Sequence, residues 1–241
     1  MRVGIISDIH SNIFALDAVL AELGRLGVDR LICNGDVAWG LVAPAQAVDR
    51  VRELDIPCVI GNTDEFPVHA ERFHGHADLE PTWQWVVNDL GQERIRWLAR
   101  LPLRRTDLDG RLLQFHGAPT NNQDLFFHRS LNPAAERAPQ EMESLLAAYP
   151  EPIVTFGHSH WPSVSRLGPR LLINPGSVSH QIHTGDPRAR FAILEGIGDN
   201  WTAILYAIDY DAERAAQAAE ALGLPQSPGA AYQLRNGRMM A

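Results

Sequence analysis

The chain has 241 residues, of which 45% are hydrophobic and 21% are charged, as in folded globular proteins rather than disordered ones. Its 29 acidic residues outnumber its 21 basic ones and give a net charge of −8, which argues against non-specific binding to nucleic acid or to anionic membranes. Every basic residue is an arginine, so a lysine nucleophile, a Schiff-base lysine and a Walker-type lysine are excluded.

The first part of the chain alternates strands and helices. The pattern predicts a buried strand over residues 2–7, a helix over 12–27, a strand over 30–33, a helix over 44–54 and a strand over 57–60. No signal-peptide layout precedes the first strand, and no apolar run approaches the roughly 20 residues that span a bilayer. We therefore expect parallel strands in a cytoplasmic protein without a membrane segment.

Residues 65–81 interrupt the alternation of strands and helices, because the segment carries three histidines and has neither helical nor strand periodicity. We interpret it as a lid inserted over one end of the sheet. The pattern then predicts a helix over 82–101, a strand over 111–115 and a helix over 132–149. The helical assignment over 82–101 is weakened by a glycine in its middle.

The last third of the chain contains short strands in close succession. They are predicted over 153–156, 170–173, 190–195 and 202–210, and without helices between them they favour antiparallel pairing in a second sheet. An alanine-rich helix over 211–222 and a loosely held tail over 225–241 complete the chain. With no repeat and no linker, residues 1–241 are predicted to form one domain.

Polar side chains follow five of the predicted strands at the point where each strand ends. Ligands of open α/β sheets bind beyond the carboxyl ends of the strands, so we expect these side chains to meet in one place. The set consists of Asp8, His10, Asp36, Asn62, His116, His158 and His160.

The composition of this set indicates a metal centre. Four imidazoles, two carboxylates and one amide suit borderline divalent ions such as manganese, iron, nickel, cobalt or zinc. The two cysteines, Cys33 and Cys58, lie in apolar strands away from the set and are predicted to be buried reduced thiols, which disfavours a structural zinc site. Seven donors exceed the need of one tetrahedral ion and fit two ions about 3.5–4 Å apart that share a carboxylate.

The order of these motifs resembles the calcineurin-like metallophosphoesterase superfamily, and most closely its YfcE-like branch of small bacterial and archaeal phosphodiesterases. The motifs are D-x-H at 8–10, G-D at 35–36, G-N-x-D at 61–64, H-G at 116–117, G-H-S-H at 157–160 and N-P-G-S-V at 174–178. The resemblance extends from residue 2 to about residue 223. It implies an α/β fold, a four-layer α/β/β/α sandwich of two mixed sheets.

The resemblance also implies roles for the seven side chains. Asp8, His10 and His160 would hold one metal, Asn62, His116 and His158 would hold the other, and Asp36 would bridge them. The two divalent ions would be manganese first, with iron, nickel, zinc or magnesium as alternatives. A hydroxide bridging them would attack phosphorus in line, with Asp36, Asn62 and His158 as catalytic residues.

One position departs from the common pattern of the superfamily. Many of its phosphatases carry a histidine after the asparagine of G-N-x-D, whereas this chain has Thr63, and a hydroxyl is a poor general acid at neutral pH. The departure favours diesters over monoesters. Three other histidines, His128, His180 and His183, are candidates for contacting the substrate or supplying the proton, and Arg188 is a candidate phosphate contact.

Two alternatives remain open at this point. The first is a phosphomonoesterase, acting on proteins or nucleotides. The second is a non-catalytic scaffold, as in the retromer subunit of the same fold, although such scaffolds lose metal-site histidines and all seven positions are intact here. The expected partner is a small phosphate ester, with a nucleotide as one option.

Overall fold

Two mixed β-sheets form the centre of the fold in the computed structural model, which describes residues 1–69, 78–128, 136–182, 184–198 and 200–240. The first sheet contains strands β1 (Arg2–Ile6), β2 (Arg30–Cys33), β8 (Ala189–Ile197) and β9 (Asn200–Ile208), in the order β2-β1-β8-β9. Within it, β1 and β2 are parallel, whereas β8 pairs antiparallel with both β1 and β9.

The second sheet has five strands in the order β3-β4-β5-β7-β6. They are β3 (Arg104–Asp107), β4 (Leu112–Phe115), β5 (Ile153–Thr155), β6 (Ser163–Leu167) and β7 (Arg170–Asn174). The central strands β4, β5 and β7 are parallel, and the two edge strands are antiparallel to their neighbours. The carboxyl ends of β4 and β5 therefore lie at one edge of this sheet.

The described residues form seven helices. They are α1 (Ile13–Arg25), α2 (Pro44–Glu53), α3 (Glu65–Val68), α4 (Glu80–Leu98), α5 (Pro139–Leu145), α6 (Ala212–Ala221) and α7 (Ser227–Asn236). Helix α1 begins where the Asn12 side chain accepts a hydrogen bond from the backbone of Ala15, as expected of an asparagine cap. Helix α4 is kinked at Gly91, the glycine that weakened its prediction. None of these helices has the length and apolar character needed to cross a membrane.

Three apolar cores separate the layers. Val19 and Leu23 of α1 pack with Ile6 and Phe191 of the first sheet, and Ile5 packs in the core between the two sheets. A third core joins the outer face of the second sheet to α5 and the segment around Phe126. The chain is thus an α/β protein with the predicted helix–sheet–sheet–helix order, because each sheet is apolar on both faces and must be covered on both.

Several local predictions were wrong or incomplete. Residues 57–60 form a single bridge between Cys58 and Cys33 instead of a strand, although both thiols are buried and free as expected. The edge strands β3 and β6 were not predicted, because their alternately exposed residues lack an apolar run. Of the helix predicted over 132–149, the structure gives α5 and describes nothing over 129–135.

The predicted loose tail is also corrected. Residues 227–236 form α7, in which Ala231 and Leu234 are buried against α6 and Leu41. This apolar packing fixes the segment, and the polar residues around it concealed the helix in the sequence. Most of the predicted lid, residues 70–77, lies outside the described residues; the rest contains α3 and the first turn of α4.

Candidate metal centre

The seven candidate ligands lie on loops at one edge of the two sheets. Asp8 and His10 follow β1, Asp36 follows β2, His116 follows β4, and a loop after β5 carries the last two histidines, as the strand-end pattern predicted. Asn62 lies four residues beyond the bridge at Cys58. The layered sheets thus bring together residues separated by up to 152 positions in the sequence.

Most of these ligands have an unusual backbone conformation. The φ angles are positive at Asp8 (55°), His10 (45°), Asp36 (54°), His158 (66°) and His160 (58°). Non-glycine residues seldom adopt this left-handed region, and aspartate and histidine are among those that tolerate it best. Such strain persists only where the surroundings hold it, and it concentrates at functional sites.

Backbone hydrogen bonds between neighbouring loops hold this conformation. The amide of Asp8 donates to the carbonyl of Gly35 (3.0 Å), and the amide of His10 donates to the carbonyl of Asp36 (2.9 Å). The amide of His158 donates to the Asp8 carboxylate, 3.2 Å from Oδ1. The loops after β1, β2 and β5 therefore form one connected frame around the carboxylates.

Asp64 and Gly61 fix the loop that carries Asn62. One oxygen of the buried Asp64 carboxylate accepts the amides of Val37 and Ala38 (2.9 Å each), and the other accepts the amide of Gly61 (3.1 Å). A Cβ at Gly61 would lie 2.0 Å from Oδ1 of Asp36. Only glycine permits this approach.

The N-P-G-S segment forms a wall of the site. Asn174 at its start donates to the carbonyl of Gly157 (3.0 Å), and the Ser177 hydroxyl donates to the carbonyl of Asp8 (2.7 Å). Both side chains are buried. They connect β7 to the loops after β5 and β1.

One group of buried side chains contains Asp8, His10, Asp36 and His160. One donor atom from each lies within 4.8 Å of the others. The His160 Nε2 atom is 3.2 Å from Oδ1 of Asp8 and 3.3 Å from Nε2 of His10, and the latter is 3.6 Å from Oδ2 of Asp36. Such crowding of nitrogen and carboxylate donors around one point suits a cation.

A second group contains Asp36, His116 and His158, again with donor atoms within 4.8 Å of one another. The Nε2 atom of His116 is 3.4 Å from Oδ2 of Asp36 and 2.9 Å from Oδ1 of Asn62. The carboxylate of Asp36 is therefore common to both groups.

Each of the four imidazoles is oriented by a hydrogen bond from its other ring nitrogen to a backbone carbonyl. The acceptors are the carbonyls of Trp39 for His10 (2.9 Å), Asn34 for His116 (2.7 Å), His180 for His160, and Gln123 for His158 (2.9 Å). This arrangement fixes the orientation of each ring and directs its other nitrogen toward the centre of the site, as in metal-ligating histidines. The donor set therefore fits divalent metal ions.

Charge coupling between the carboxylates and imidazoles shifts their pKa values. Burial alone would raise the pKa of Asp36, but His116, His10 and His158 outweigh it and hold that pKa well below its usual range. Burial alone would lower the pKa of His116, but the charge and hydrogen bond of Asp36, with Asp8, raise it to about 10. Burial and repulsion from His116 lower the pKa of His158 to about 4.

The described candidate substrate-contacting residues lie at different distances from the two donor groups. His180 lies in the site wall, with its ring centroid 4.5 Å from that of His10. His128 packs on Phe127 in a segment that pairs with Glu136, and Arg188 is half-exposed and bound to Asp186 (2.8 Å), so neither belongs to the two donor groups. His183 lies outside the described residues.

The environment of His180 bears on its proposed role as a proton donor. Burial, together with His10 and His160, lowers the pKa of His180 well below its ordinary value. A ring that is neutral at neutral pH is a weak general acid. The carbonyl of His180 accepts the hydrogen bond that orients His160, and its ring packs on His10; its part in proton transfer stays a prediction.

Sequence reasoning missed the residues that support the ligands. The carbonyls of Trp39, Asn34 and Gln123 orient imidazoles, and a carbonyl leaves no signal in residue type. Buried Asn122, which donates to the carbonyl of Gly61 (3.2 Å), was also missed. The T-N-N-Q run around it is polar, but so are most surface loops.

A comparison with protein-family models finds one match over residues 1–196, the calcineurin-like phosphoesterase superfamily domain. The matched region contains every candidate ligand. It ends within β8, so β9, α6 and α7 lie beyond it.

Individual proteins show the same similarity. The chain is 27% identical over 186 residues to the uncharacterized protein MJ0912 of Methanocaldococcus jannaschii, covering 73% of this chain and 69% of that protein. A metallophosphoesterase from Sphaerobacter thermophilus superimposes with a TM-score of 0.79 and 27% identity, covering 98% and 100% of the two chains. YfcE, a phosphoesterase from E. coli, shares the fold with a TM-score of 0.50 and 23% identity, covering 87% and 98%.

Proposed function

The chain belongs to the calcineurin-like phosphoesterase superfamily and is a metal-dependent phosphoesterase, and we propose that it hydrolyses phosphodiesters with two divalent ions held by its seven strand-end side chains. The observation that supports this proposal most strongly is the position of Asp36. Its carboxylate belongs to both groups of donor atoms, as a bridge between two ions requires.

The proposed division of ligands follows the two donor groups. Asp8, His10 and His160 hold one ion, and His116 and His158 hold the other with the Asn62 oxygen beside them. Asp36 serves both. Manganese is the first candidate for the native ion, and iron, nickel, zinc and magnesium are alternatives, because imidazole and carboxylate ligands accept all of them.

The residues of the chain would orient the metal ions and the substrate and would stabilise charge on the phosphate. When bound, the two metal ions would supply a nucleophilic hydroxide near neutral pH and neutralise charge on the phosphate oxygens. The side-chain amide of Asn62 would donate to a phosphate oxygen and so stabilise negative charge that develops during in-line attack. The backbone frame around Asp8 and His158 keeps the donors in place, so little reorganisation accompanies the reaction.

The preference for diesters rests on Thr63. Its amide donates to Oδ1 of Asp36 (2.9 Å), so the backbone at this position supports the bridging carboxylate. Its hydroxyl is buried and, among the described residues, has no hydrogen-bond partner. With no acid at this position and a neutral ring at His180, the leaving group departs with little protonation, and esters of acidic alcohols or phenols are favoured.

The test compares p-nitrophenyl phosphate with its methyl diester, on metal-stripped protein supplied with manganese, nickel, zinc or magnesium. We expect the diester to have at least about tenfold higher kcat/KM, and kcat/KM to fall steeply as the pKa of the phenol rises across a series of diesters. Thr63→His should flatten that dependence, and Thr63→Ser is the matched control.

Other outcomes select the alternatives. A preference for the monoester would favour a phosphomonoesterase and require another proton donor. Binding of two ions without turnover of either ester would favour the scaffold. Full activity in the metal-stripped protein would overturn the proposal altogether.

A further inference from the structure

A cavity of about 620 Å³ lies beside the metal centre. Its walls come from the Trp39–Leu41 loop, the start of α4, and the C-terminal segment 225–240 that includes α7. We call it the α7 cavity. Its volume falls within the range of about 300–1,000 Å³ that is usual for small-molecule sites.

The walls of the α7 cavity are mostly apolar. Trp39, Leu41 and Leu79 line one side, and Met239 and Met240 line another. The two methionines are 58% and 56% exposed, and flexible thioether side chains of this kind adapt to apolar ligands. Among the described lining residues there is no carboxylate and no guanidinium. The cavity therefore suits an uncharged, apolar group and not a second phosphate.

Two polar side chains that line the cavity, those of Thr82 and Gln226, are hydrogen-bonded to each other. The Thr82 hydroxyl donates to Oε1 of Gln226 (2.7 Å), and Nε2 of Gln226 donates to the carbonyl of Asp78 (2.6 Å). These bonds connect α4 to the segment before α7 and hold the two walls together. Because the polar atoms are paired, the surface they leave for a ligand is mainly apolar.

The cavity reaches the metal centre at His180. This residue lines the cavity, and its ring contacts the ring of His10 with a centroid separation of 4.5 Å. Gly40 also lines the cavity, one residue after the carbonyl of Trp39 that orients His10. The ring of His180 therefore forms the boundary between the α7 cavity and the metal centre.

We propose that the α7 cavity binds one organic substituent of the phosphoester, and that this substituent is a flat apolar group such as an aryl ring. This inference rests on the proposed function, since the phosphate of the same molecule would be bound at the metals. The apolar side chains of Leu41, Leu79 and the two methionines offer dispersion contacts to a flat ring. The C-terminal part of the lining, which includes Gly229, Met239 and Met240, lies beyond the part of the chain matched by the family model.

Gly229 provides a direct test of the cavity. It lies in the first turn of α7 and lines the cavity, and a Cβ there would meet no atom within 4 Å. Gly229→Leu should therefore narrow the cavity without disturbing the fold. Gly24→Leu is the matched control, because Gly24 also lies in a helix with open space around it but lines a different surface.

The experiment measures binding of phenylphosphonate and methylphosphonate to the manganese-loaded protein by calorimetry. We expect phenylphosphonate to bind at least about tenfold more tightly, because its ring enters the cavity. Gly229→Leu should reduce the ratio to near one with little change for methylphosphonate, and Gly24→Leu should leave both affinities unchanged. Leu79→Ser, which removes an apolar wall while supplying a cap for α4, should also reduce the ratio.

Turnover of methyl p-nitrophenyl phosphate separates the two proposals. If this ester is hydrolysed but the phosphonates bind equally, or the ratio survives in Gly229→Leu, the inference is wrong and the proposed function stands. If the ester is not hydrolysed but phenylphosphonate binds in a Gly229-dependent manner, the cavity assignment stands and the proposed function fails. If neither phosphonate binds, the inference is overturned.

Discussion

The ligands of the metal centre are residues held in a conformation that they seldom adopt. Five of the seven have positive φ angles, each costing on the order of 1–3 kcal/mol. The hydrogen bonds from Asp8 to Gly35 and from His10 to Asp36 offset this cost. A left-handed residue turns the chain sharply, so two side chains of a short loop, such as His158 and His160, reach different donor groups.

The imidazoles of His116 and His158 differ in protonation state before any metal binds. Because Asp36 and Asp8 raise the pKa of His116 to about 10, this ring is protonated between pH 7 and 9, whereas His158, with a pKa of about 4, is neutral. A metal that binds to His116 must displace the proton. We expect about one proton to be released from this residue per chain, and a corresponding rise in metal affinity of up to tenfold per pH unit in this range.

Calorimetry of manganese binding in buffers of different ionisation enthalpy measures this release. His116→Gln should lower the number of released protons by about one, and His158→Gln should leave it unchanged. Equal proton release in the two variants would contradict the assigned protonation states.

At the scale of elements, the loop after residue 60 lies against the loop after β2 with no room for a side chain. A Cβ at Gly61 would lie 2.0 Å from Oδ1 and 2.2 Å from the backbone nitrogen of Asp36. We expect Gly61→Ala to destabilise the fold by about 1–3 kcal/mol and to weaken metal binding, because the bridging carboxylate must move. Chemical denaturation and metal titration measure the two effects.

Gly24→Ala is the control for Gly61→Ala. Its Cβ would meet no atom within 4 Å, and alanine favours a helix by roughly 0.5–1 kcal/mol over glycine. It should stabilise the protein slightly and leave metal binding intact. A Gly61→Ala protein with unchanged metal affinity would show that the close contact is not needed to position Asp36.

The docking of α7 depends on apolar packing more than on its ion pairs. Leu234 is 7% exposed against α6, and Leu234→Ala should cost about 2 kcal/mol or more. Arg235 pairs with Glu213 and Glu220 on the surface, so Arg235→Gln should have a smaller effect that vanishes in high salt. Thermal unfolding at two salt concentrations measures both variants. A larger loss in Arg235→Gln would contradict this ranking.

Some elements could be predicted from the sequence and others could not, for identifiable reasons. Strands such as Arg2–Ile6 and Ile153–Thr155 were predictable because both faces are buried and the residues form apolar runs. The edge strand Ser163–Leu167 alternates exposed and partly buried residues over polar positions, so the sequence contains no such run. Helix α7 has an apolar face defined by its contact with α6, which the sequence does not reveal.

The candidate ligands were predictable for a different reason. Parallel strands end at the same edge of a sheet, so polar residues after β1 and β2 bring Asp8 and Asp36 together, and those after β4 and β5 bring His116 and His158 together. Their supports were not predictable, because carbonyls such as that of Asn34 belong to every residue type. The contact of His180 with His10 depends on a wall formed after β7 and could not be located from spacing alone.

At the scale of the whole molecule, two sheets place their loops around one metal centre, and the C-terminal helices add a cavity beside it. The family match ends at residue 196 and contains the ligands, whereas α7 lies beyond it and forms one wall of the α7 cavity. The candidate ligands therefore lie within the part of the chain that matches the superfamily, and the neighbouring cavity is completed by α7. We expect reaction chemistry to depend on the first and substrate choice on the second.

In the proposed mechanism, Asp36 joins two metal ions into one catalytic centre. The most direct measurement is the number of manganese ions per chain in reconstituted protein, determined together with turnover of methyl p-nitrophenyl phosphate. We expect two ions in the wild type, and at most one ion with an activity loss of about 1,000-fold or more in Asp36→Asn. The surface variant Asp17→Asn should match the wild type. Two bound ions and full turnover in Asp36→Asn would contradict the claim.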